Sequence, residues 1–271
     1  MKTSLPSTVV ASLLALAALT STQAAVVTLE DFSGVTSGTL LSSVPSWSLQ
    51  SGATDTATVT STAGYQGGSG ATITTQSQYK YAIPANYVMT PTSLTSGYSI
   101  KMQLTSNNNY QQAQVLLGKN DGVNGLAVVF DGGTANGDAD NSIKISSGGT
   151  GWGSVIYTNY SAAKWASDAW YEITFSNIAL TNSGYGPAVT GLVTITNLNT
   201  GIALLSDAAI TGFGNSGTFN TLNTVLVGNK GTARSIAFDD VTATVPEPAT
   251  WALLIPVLLI TLLRRRTRAA V

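Results

Sequence analysis

Short runs in which apolar and polar residues alternate recur along the middle of this chain, and no stretch after residue 24 sustains a helical period. Each run predicts one half-buried β-strand. Clusters of Gly, Asn, Asp and Ser between the runs favour turns. The pattern predicts an all-β fold, an antiparallel β-sandwich or jelly roll. A parallel β-helix is the alternative, but it usually has a repeat of fixed length, and this chain has none. The apolar positions of the runs are Ile100, Met102 and Leu104; Val115 and Leu117; Leu126, Val128 and Phe130; Ile143 and Ile145; Ile173 and Phe175; Val193 and Ile195; Val225 and Val227; Ile236 and Phe238.

The last run changes its phase near the end of the predicted domain. Its apolar positions move from Ile236 and Phe238 to Val241 and the alternate residues after it. Because one extra residue in a strand moves every later side chain to the other face, the shift predicts a β-bulge at Asp239 and Asp240.

Three short strings resemble sequences of the concanavalin-like and laminin-G-like jelly rolls, and of some carbohydrate-binding modules. They are the opening Leu29–Phe32, the central Trp170–Phe175 and the closing Ile236–Val241. The resemblance implies a jelly-roll sandwich of that kind. Since one fold hosts many functions, it gives only an indication of sugar binding.

The first 24 residues have the features of a secretory signal peptide. Lys2 supplies a positive charge, an apolar stretch runs from Val9 to Leu19, and Thr22 to Ala24 offers small residues near a cleavage point. We therefore expect a short signal-peptide helix that signal peptidase removes during export, and we exclude residues 1–24 from the predicted domain.

The C-terminus combines a Pro-Glu-Pro box, a short apolar segment and an arginine cluster, in that order. The box is Pro246, Glu247 and Pro248, the apolar segment runs from Trp251 to Leu263, and the cluster is Arg264, Arg265, Arg266 and Arg268. In this order and position the tail resembles that of the PEP-CTERM proteins. The resemblance implies an exported protein of a Gram-negative bacterium that makes extracellular polysaccharide, with the tail processed by an exosortase.

The physics of the tail agrees with this resemblance. The thirteen residues from Trp251 to Leu263 make a helix of about 20 Å, shorter than a hydrocarbon core of about 30 Å. We expect a short transmembrane helix with the arginines in the cytoplasm, a marginal span that local thinning of the bilayer would permit. The two prolines keep the box free of helix and accessible. A plain tail anchor, with the box as a linker, is the alternative.

The composition excludes several kinds of chemistry. The chain has no cysteine and no histidine, which excludes disulfides, thiol and Ser-His-Asp nucleophiles, and metal sites built on those ligands. Between residues 25 and 248 there are seven basic and thirteen acidic residues, a net charge of about −6. An acidic surface without a basic cluster argues against nucleic acid as a partner. Only three glutamates occur, and Glu172 lacks the Glu-x-Asp-x-x-Glu motif of concanavalin-like glucanases.

Two groups of residues are candidates for binding. If the first and last strands are neighbours, Glu30, Asp31, Asp239 and Asp240 converge, and such an oxygen-rich cluster would suit a structural Ca²⁺. The alternative is that they face solvent at strand edges.

Aromatic residues form the second group, because exposed Trp and Tyr rings can stack on the apolar faces of sugars. Trp152 and Trp165 occur in loop-like sequence and are the platform candidates. We expect Trp170 in the core and Tyr171 outward. The alternative for all of them is burial in the core.

Together these features predict three parts: a signal peptide at 1–24, a secreted β-sandwich at 25–244 and a sorting tail at 245–271. The predicted function is structural or adhesive, without enzymatic activity and in contact with extracellular polysaccharide. The alternatives are a polysaccharide-active hydrolase or lyase and a protein-binding surface protein. Predicted partners during processing are signal peptidase, exosortase and the inner membrane. The predicted destination is the cell envelope, outer surface or extracellular matrix.

Overall fold

The computed structural model describes residues 24–52, 54–104, 112–119, 125–132, 141–149, 155–181, 186–214, 220–229 and 235–246. The chain divides into two units, one made of residues 1–25 and 245–271 and the other of residues 26–244. The predicted signal-peptide and transmembrane helices, the arginine cluster, Glu247 and Pro248 lie outside the described residues. Within the described ranges, no helix is long and apolar enough to cross a membrane.

Fifteen strands build the described part of the chain, with short 3-10 turns at Leu41–Ser43, Tyr65–Gly67 and Ala85–Tyr87. The strands are β1 (Ala24–Glu30), β2 (Trp47–Gly52), β3 (Thr58–Thr60), β4 (Gly70–Ile73), β5 (Ser77–Ala82), β6 (Gly97–Leu104), β7 (Gln112–Gly118), β8 (Gly125–Asp131), β9 (Ser142–Gly149), β10 (Val155–Tyr160), β11 (Trp170–Leu180), β12 (Gly186–Asn197), β13 (Ile202–Gly214), β14 (Thr224–Asn229) and β15 (Ile236–Pro246).

The strands form two antiparallel sheets. Sheet A has the order β13-β12-β11-β6-β15-β4-β3, with β1 also paired to β15. Sheet B has the order β10-β9-β8-β7-β14-β5-β2. The chain passes from β5 in sheet B to β6 in sheet A and back to β7 in sheet B, whereas β7 to β10 all belong to sheet B and β11 to β13 all belong to sheet A. This is the predicted all-β antiparallel sandwich, and its strand order matches a jelly roll.

The main core lies between the sheets and is built from the alternating residues of the strands. On β6, for example, Tyr98, Ile100 and Met102 are buried while Ser99 and Lys101 are only half-buried. The predicted apolar positions occupy this core because a pleated strand sends every second side chain to the same face.

The bulge predicted in the last strand is confirmed. The register of β15 against β6 shifts between Asp239 and Thr242, and Asp240 has a φ of 47°. Phe238 and Val241 can then both face the core, although they are three positions apart and a regular strand would turn them to opposite faces. The bulge has one extra residue and places two carboxylates, those of Asp239 and Asp240, beside β6.

The central strands of sheet B are buried on both faces. Every residue of β8 and β14 is buried. Leu116, Ala127 and Leu226 form a small apolar cluster separate from the main core, and Tyr157 packs against it. Strands with continuous apolar sequence, rather than alternation, are typical of such two-sided burial.

Candidate functional site

The outer face of sheet A carries a group of charged and aromatic side chains, which we call the Tyr65 face. Its members are Tyr65, Ser99, Lys101, Trp170, Glu172, Asp239, Asp240 and Thr242. Three neighbouring strands place the charged residues side by side, because Lys101 on β6 pairs in register with Glu172 on β11 and with Asp239 on β15.

Lys101 is the centre of the Tyr65 face. Its ammonium forms a salt bridge with Asp240 and lies 4.5 Å from the centre of the Tyr65 ring. The side chains of Lys101 and Asp240 are 21% and 27% exposed, so this pair contacts solvent. A half-exposed ion pair of this kind contributes about 0–1 kcal/mol to stability, which is too little to explain the arrangement by stability alone.

Two aromatic rings lie at one end of the face. Tyr65 comes from the 3-10 turn between β3 and β4, and its ring packs edge to face on Trp170 at 5.9 Å between centroids. Trp170 is 8% exposed, whereas Tyr65 is half-buried, so Tyr65 presents the accessible ring. Neither Tyr65 nor Trp170 was among the predicted platform residues.

Asp239 holds the turn of Tyr65 on the sheet. One carboxylate oxygen accepts a hydrogen bond from the Tyr65 amide at 3.0 Å, and the other accepts one from the Asp240 amide at 2.8 Å. Asp239 is 4% exposed. Burial, and secondarily the charge of Asp240, raises the pKa of Asp239 to about 6. Asp239 therefore acts as a buried acceptor that fixes the turn.

A row of hydroxyl groups continues the face toward the other end of the strands. Ser99 is 2.8 Å from the hydroxyl of Thr242 and donates to Glu172 at 3.3 Å. Glu172 and Ser99 are half-buried. The face thus offers hydrogen-bond donors and acceptors at the surface next to the half-buried ring of Tyr65.

The four carboxylates predicted to bind calcium do not form one cluster. β1 does pair with β15, as the prediction required. Glu30, however, accepts the Phe32 amide at 2.9 Å, and Asp31 accepts the Ser33 amide at 3.0 Å. These hydrogen bonds from Ser33 lower the pKa of Asp31. Among the described residues no three acidic side chains lie close enough to hold a metal ion, so this ligand set was wrongly predicted.

The prediction that Trp165 is an exposed platform is wrong. Trp165 is 2% exposed, and its indole nitrogen donates to the Asp131 carbonyl at 3.3 Å. The segment between β10 and β11 turns inward, so that Ala163 and Ala169 are buried as well. Burial of the large ring is favourable because its one polar atom, the indole nitrogen, has a hydrogen-bond partner on the backbone. Trp152, the other platform candidate, lies outside the described residues.

The expectation that Tyr171 faces outward is wrong, whereas Trp170 is buried as expected, although on the outer side of sheet A and not in the main core. Tyr171 is fully buried against Phe130 at 5.4 Å, and its hydroxyl accepts the Ala166 amide at 2.7 Å. Trp170 lies on the outer face. The signal was present in the sequence, because Ile173 and Phe175 face inward and Tyr171 alternates with them. Tyr65 and Lys101 were missed because nothing local indicates that a distant turn covers β6 and β11.

No protein-family model matches the chain, and no curated protein matches it. Several solved structures are similar in arrangement. The carbohydrate-binding module CBM66 from Bacillus subtilis has a TM-score of 0.40 and 12% identity over 72% of this chain and 93% of its own. Lectin II from Ulex europaeus has a TM-score of 0.41 and 13% identity over 74% and 92%. The exoplasmic domain of VIP36 in its Ca²⁺-bound form has a TM-score of 0.46 and 9% identity over 82% and 90%.

Proposed function

We propose that residues 25–244 form a secreted, non-catalytic module that binds extracellular polysaccharide through the Tyr65 face. The observation that carries this proposal is the accessible ring of Tyr65 beside the half-exposed groups of Lys101, Glu172 and Asp240. Sugars present apolar CH faces and many hydroxyls, so they need an aromatic surface with hydrogen-bonding groups around it. A sheet face that contacts only solvent would not need the Tyr65 ring held on it by the turn between β3 and β4.

One observation favours the alternative, a polysaccharide-active enzyme. The pKa of Asp239 is raised to about 6, which is typical of a general acid in a glycosidase. Both oxygens of Asp239, however, accept backbone amides, and the residue is 4% exposed. Glycoside hydrolysis needs two carboxyl groups that reach the substrate from both sides. The geometry of Asp239 therefore argues against a catalytic role for this residue.

We also propose that the protein reaches the cell envelope through its two ends. The support is the sequence: an N-terminal leader at residues 1–24 and the Pro-Glu-Pro tail at 245–271 that resembles PEP-CTERM proteins. In this proposal signal peptidase and exosortase process the chain, and the β-sandwich then contacts polysaccharide outside the inner membrane.

Affinity electrophoresis tests the polysaccharide proposal. The protein is run through gels that contain hydroxyethyl cellulose, xylan, dextran or alginate in turn, and we expect retardation by at least one of them. Tyr65→Ala should weaken that retention about 5- to 150-fold, which corresponds to the 1–3 kcal/mol of a well-placed interface aromatic. Tyr65→Phe keeps the ring and should bind as the wild type does.

The matched control is Leu94→Ala, which removes an apolar side chain that is 71% exposed and does not belong to the face. Equal retention of the wild type and Tyr65→Ala in every gel that retards the protein would refute the assignment of the Tyr65 face. Release of shortened chains from any of the polysaccharides would favour the enzyme instead.

A further inference from the structure

One carboxylate of the Tyr65 face has no charged partner. Glu172 on β11 pairs in register with Lys101 on β6, a position in which opposite charges usually meet across two strands. The ammonium of Lys101 bonds to Asp240 instead. Within the part of the chain that the structure describes, the only other salt bridge joins Lys144 to Asp131 on sheet B. Glu172 is therefore a carboxylate on a candidate binding face without an ion pair among the described residues.

The hydrogen bonds of Glu172 leave most of its acceptor capacity unused. One carboxylate oxygen accepts the Ser99 hydroxyl at 3.3 Å, which is long for a hydrogen bond between two oxygen atoms. Across the described ranges no other group donates to this carboxylate, which has about four acceptor positions. The side chain is half-buried, so it loses part of its hydration without a protein cation that replaces it. A ligand that donates charged N–H groups would supply the missing partner.

Glu172 lies next to the aromatic end of the face. Trp170 is two residues before it on β11, so both side chains project from the same side of sheet A. The Tyr65 ring packs on Trp170. Two residues of a strand span about 7 Å, so neighbouring sugars of one chain can reach both the Tyr65 ring and the Glu172 carboxylate.

The charge balance of the face favours a cationic ligand. Its one ammonium, that of Lys101, is offset by Asp240, which leaves the carboxyl groups of Glu172 and Asp239 in excess. The pKa of Asp239 is about 6, so this carboxyl is mostly ionised at neutral pH. Asp239 is too buried to contact a ligand, but its charge adds to the negative potential at the surface. Acidic sugars would bring like charges to this surface, whereas protonated amines would bring opposite ones.

We propose that the Tyr65 face selects a cationic polysaccharide, one whose sugars carry free amino groups. This inference rests on the proposed polysaccharide function and names the ligand class of the same face. One sugar ring stacks on Tyr65, and the ammonium of that sugar or of its neighbour donates to the Glu172 carboxylate. Such a charge-assisted hydrogen bond is stronger than one from a neutral hydroxyl. A neutral chain would use the same ring but leave the charge of Glu172 unpaired.

Isothermal titration calorimetry with two matched ligands tests the inference. One ligand is the hexamer of β-1,4-linked glucosamine, and the other is the same hexamer with every amine acetylated, which has the same linkage and length but no charge. The full chain is titrated at pH 6, where the amines are protonated, in a detergent without a sugar headgroup. We expect the glucosamine hexamer to bind about tenfold more tightly than the acetylated hexamer.

Glu172→Gln isolates the charge of the carboxylate. Glutamine has nearly the same shape and keeps one acceptor oxygen, so the variant should melt at the wild-type temperature. It should bind the glucosamine hexamer about three- to tenfold more weakly, because the charged partner of the ammonium is gone. Its affinity for the acetylated hexamer should stay within about twofold of the wild-type value.

Asp31→Asn is the matched control, because it removes one acidic charge that does not belong to the face. Asp31 is exposed and accepts the Ser33 amide, which asparagine can also accept. This variant should bind both hexamers as the wild type does, so a loss that is confined to Glu172→Gln cannot come from net charge alone.

The inference is overturned when the two hexamers bind equally, when neither binds, or when Glu172→Gln and Asp31→Asn lose the same affinity. The polysaccharide proposal is judged separately, by the effect of Tyr65→Ala. If Tyr65→Ala weakens the binding of both hexamers while Glu172→Gln weakens neither, the face binds polysaccharide without selecting charge, and this inference fails alone. If Tyr65→Ala changes neither affinity nor retention in the gels, the assignment of the face fails as well.

Discussion

Asp239 should make the stability of the sandwich depend on pH. The pKa of this residue is about 6 in the folded protein and 3.8 in an unfolded chain, because burial and the Asp240 charge disfavour its ionised form. A folded state that binds its proton more tightly is most stable below the unfolded pKa, and it loses stability as pH rises through the window from 3.8 to about 6. The rise in the pKa of Asp239 from 3.8 to about 6 corresponds to at most about 3 kcal/mol of unfolding free energy, and solvent screening reduces this to roughly 1.5 kcal/mol.

Asp239→Asn isolates this effect. Asparagine has one acceptor oxygen where aspartate has two, so the variant loses the hydrogen bond from either Tyr65 or Asp240 and should be about 1–3 kcal/mol less stable at pH 4. Because the variant cannot ionise, its deficit should shrink by about 1.5–3 kcal/mol between pH 4 and pH 8. At pH 8 the two proteins should have similar stability.

Urea unfolding at a series of pH values measures both the loss of the hydrogen bond and the pH-dependent contribution of Asp239, from the midpoint and slope of each transition. Asp240→Asn is the control. It removes the neighbouring charge that contributes to the shift, so the midpoint of the pH dependence should move down while Asp239 still titrates. A stability difference between the wild type and Asp239→Asn that stays constant from pH 4 to pH 8 would refute the reasoning.

Two further predictions follow from the fold and the tail. Trp165→Ala should lower the free energy of unfolding by about 3–5 kcal/mol, as measured by urea unfolding. At temperatures where this variant stays folded, it should still bind polysaccharide. A variant as stable as the wild type would contradict the burial of Trp165. Alanine at Pro246, Glu247 and Pro248 should leave export intact but block maturation, so fractionation and intact-mass measurement should find the protein at the inner membrane with its tail attached. Equal mass and location for this variant and the wild type would contradict sorting through the box.

The strands of the core were predictable because their signal is local. Alternation such as that of Ile100, Met102 and Leu104 depends only on the pleat of one strand, and it sets which side chains face the core whatever the partner strand is. The bulge at Asp239 and Asp240 was predictable for the same reason, since a phase shift within one strand has one common cause.

The Tyr65 face and the outer cluster of sheet B could not be predicted, because each joins residues that are distant in sequence. The amide of Tyr65 and the carboxylate of Asp239 are 174 positions apart, and nothing near either residue indicates their contact. The small apolar cluster of Leu116, Ala127 and Leu226 needs β14 beside β7 and β7 beside β8, an order that alternation does not specify. The run from Leu126 to Phe130 was predicted as a half-buried strand, whereas every residue of β8 is buried, as its continuous apolar sequence is typical of.

By itself, the sequence determined the fold class, the inward face of most strands and the chemistry that is excluded. The absence of cysteine and histidine and the acidic balance between residues 25 and 248 hold for any fold of this chain. The tertiary structure decided which aromatic rings face outward and which carboxylates have partners. Trp165 is buried because the segment that carries it folds into the core. Tyr65 lies on the outer face of sheet A because its turn places the ring against Trp170. Glu30 and Asp31 bond to their own turn, while Asp239 bonds to a distant one, because partners depend on distances in the folded chain rather than on residue type.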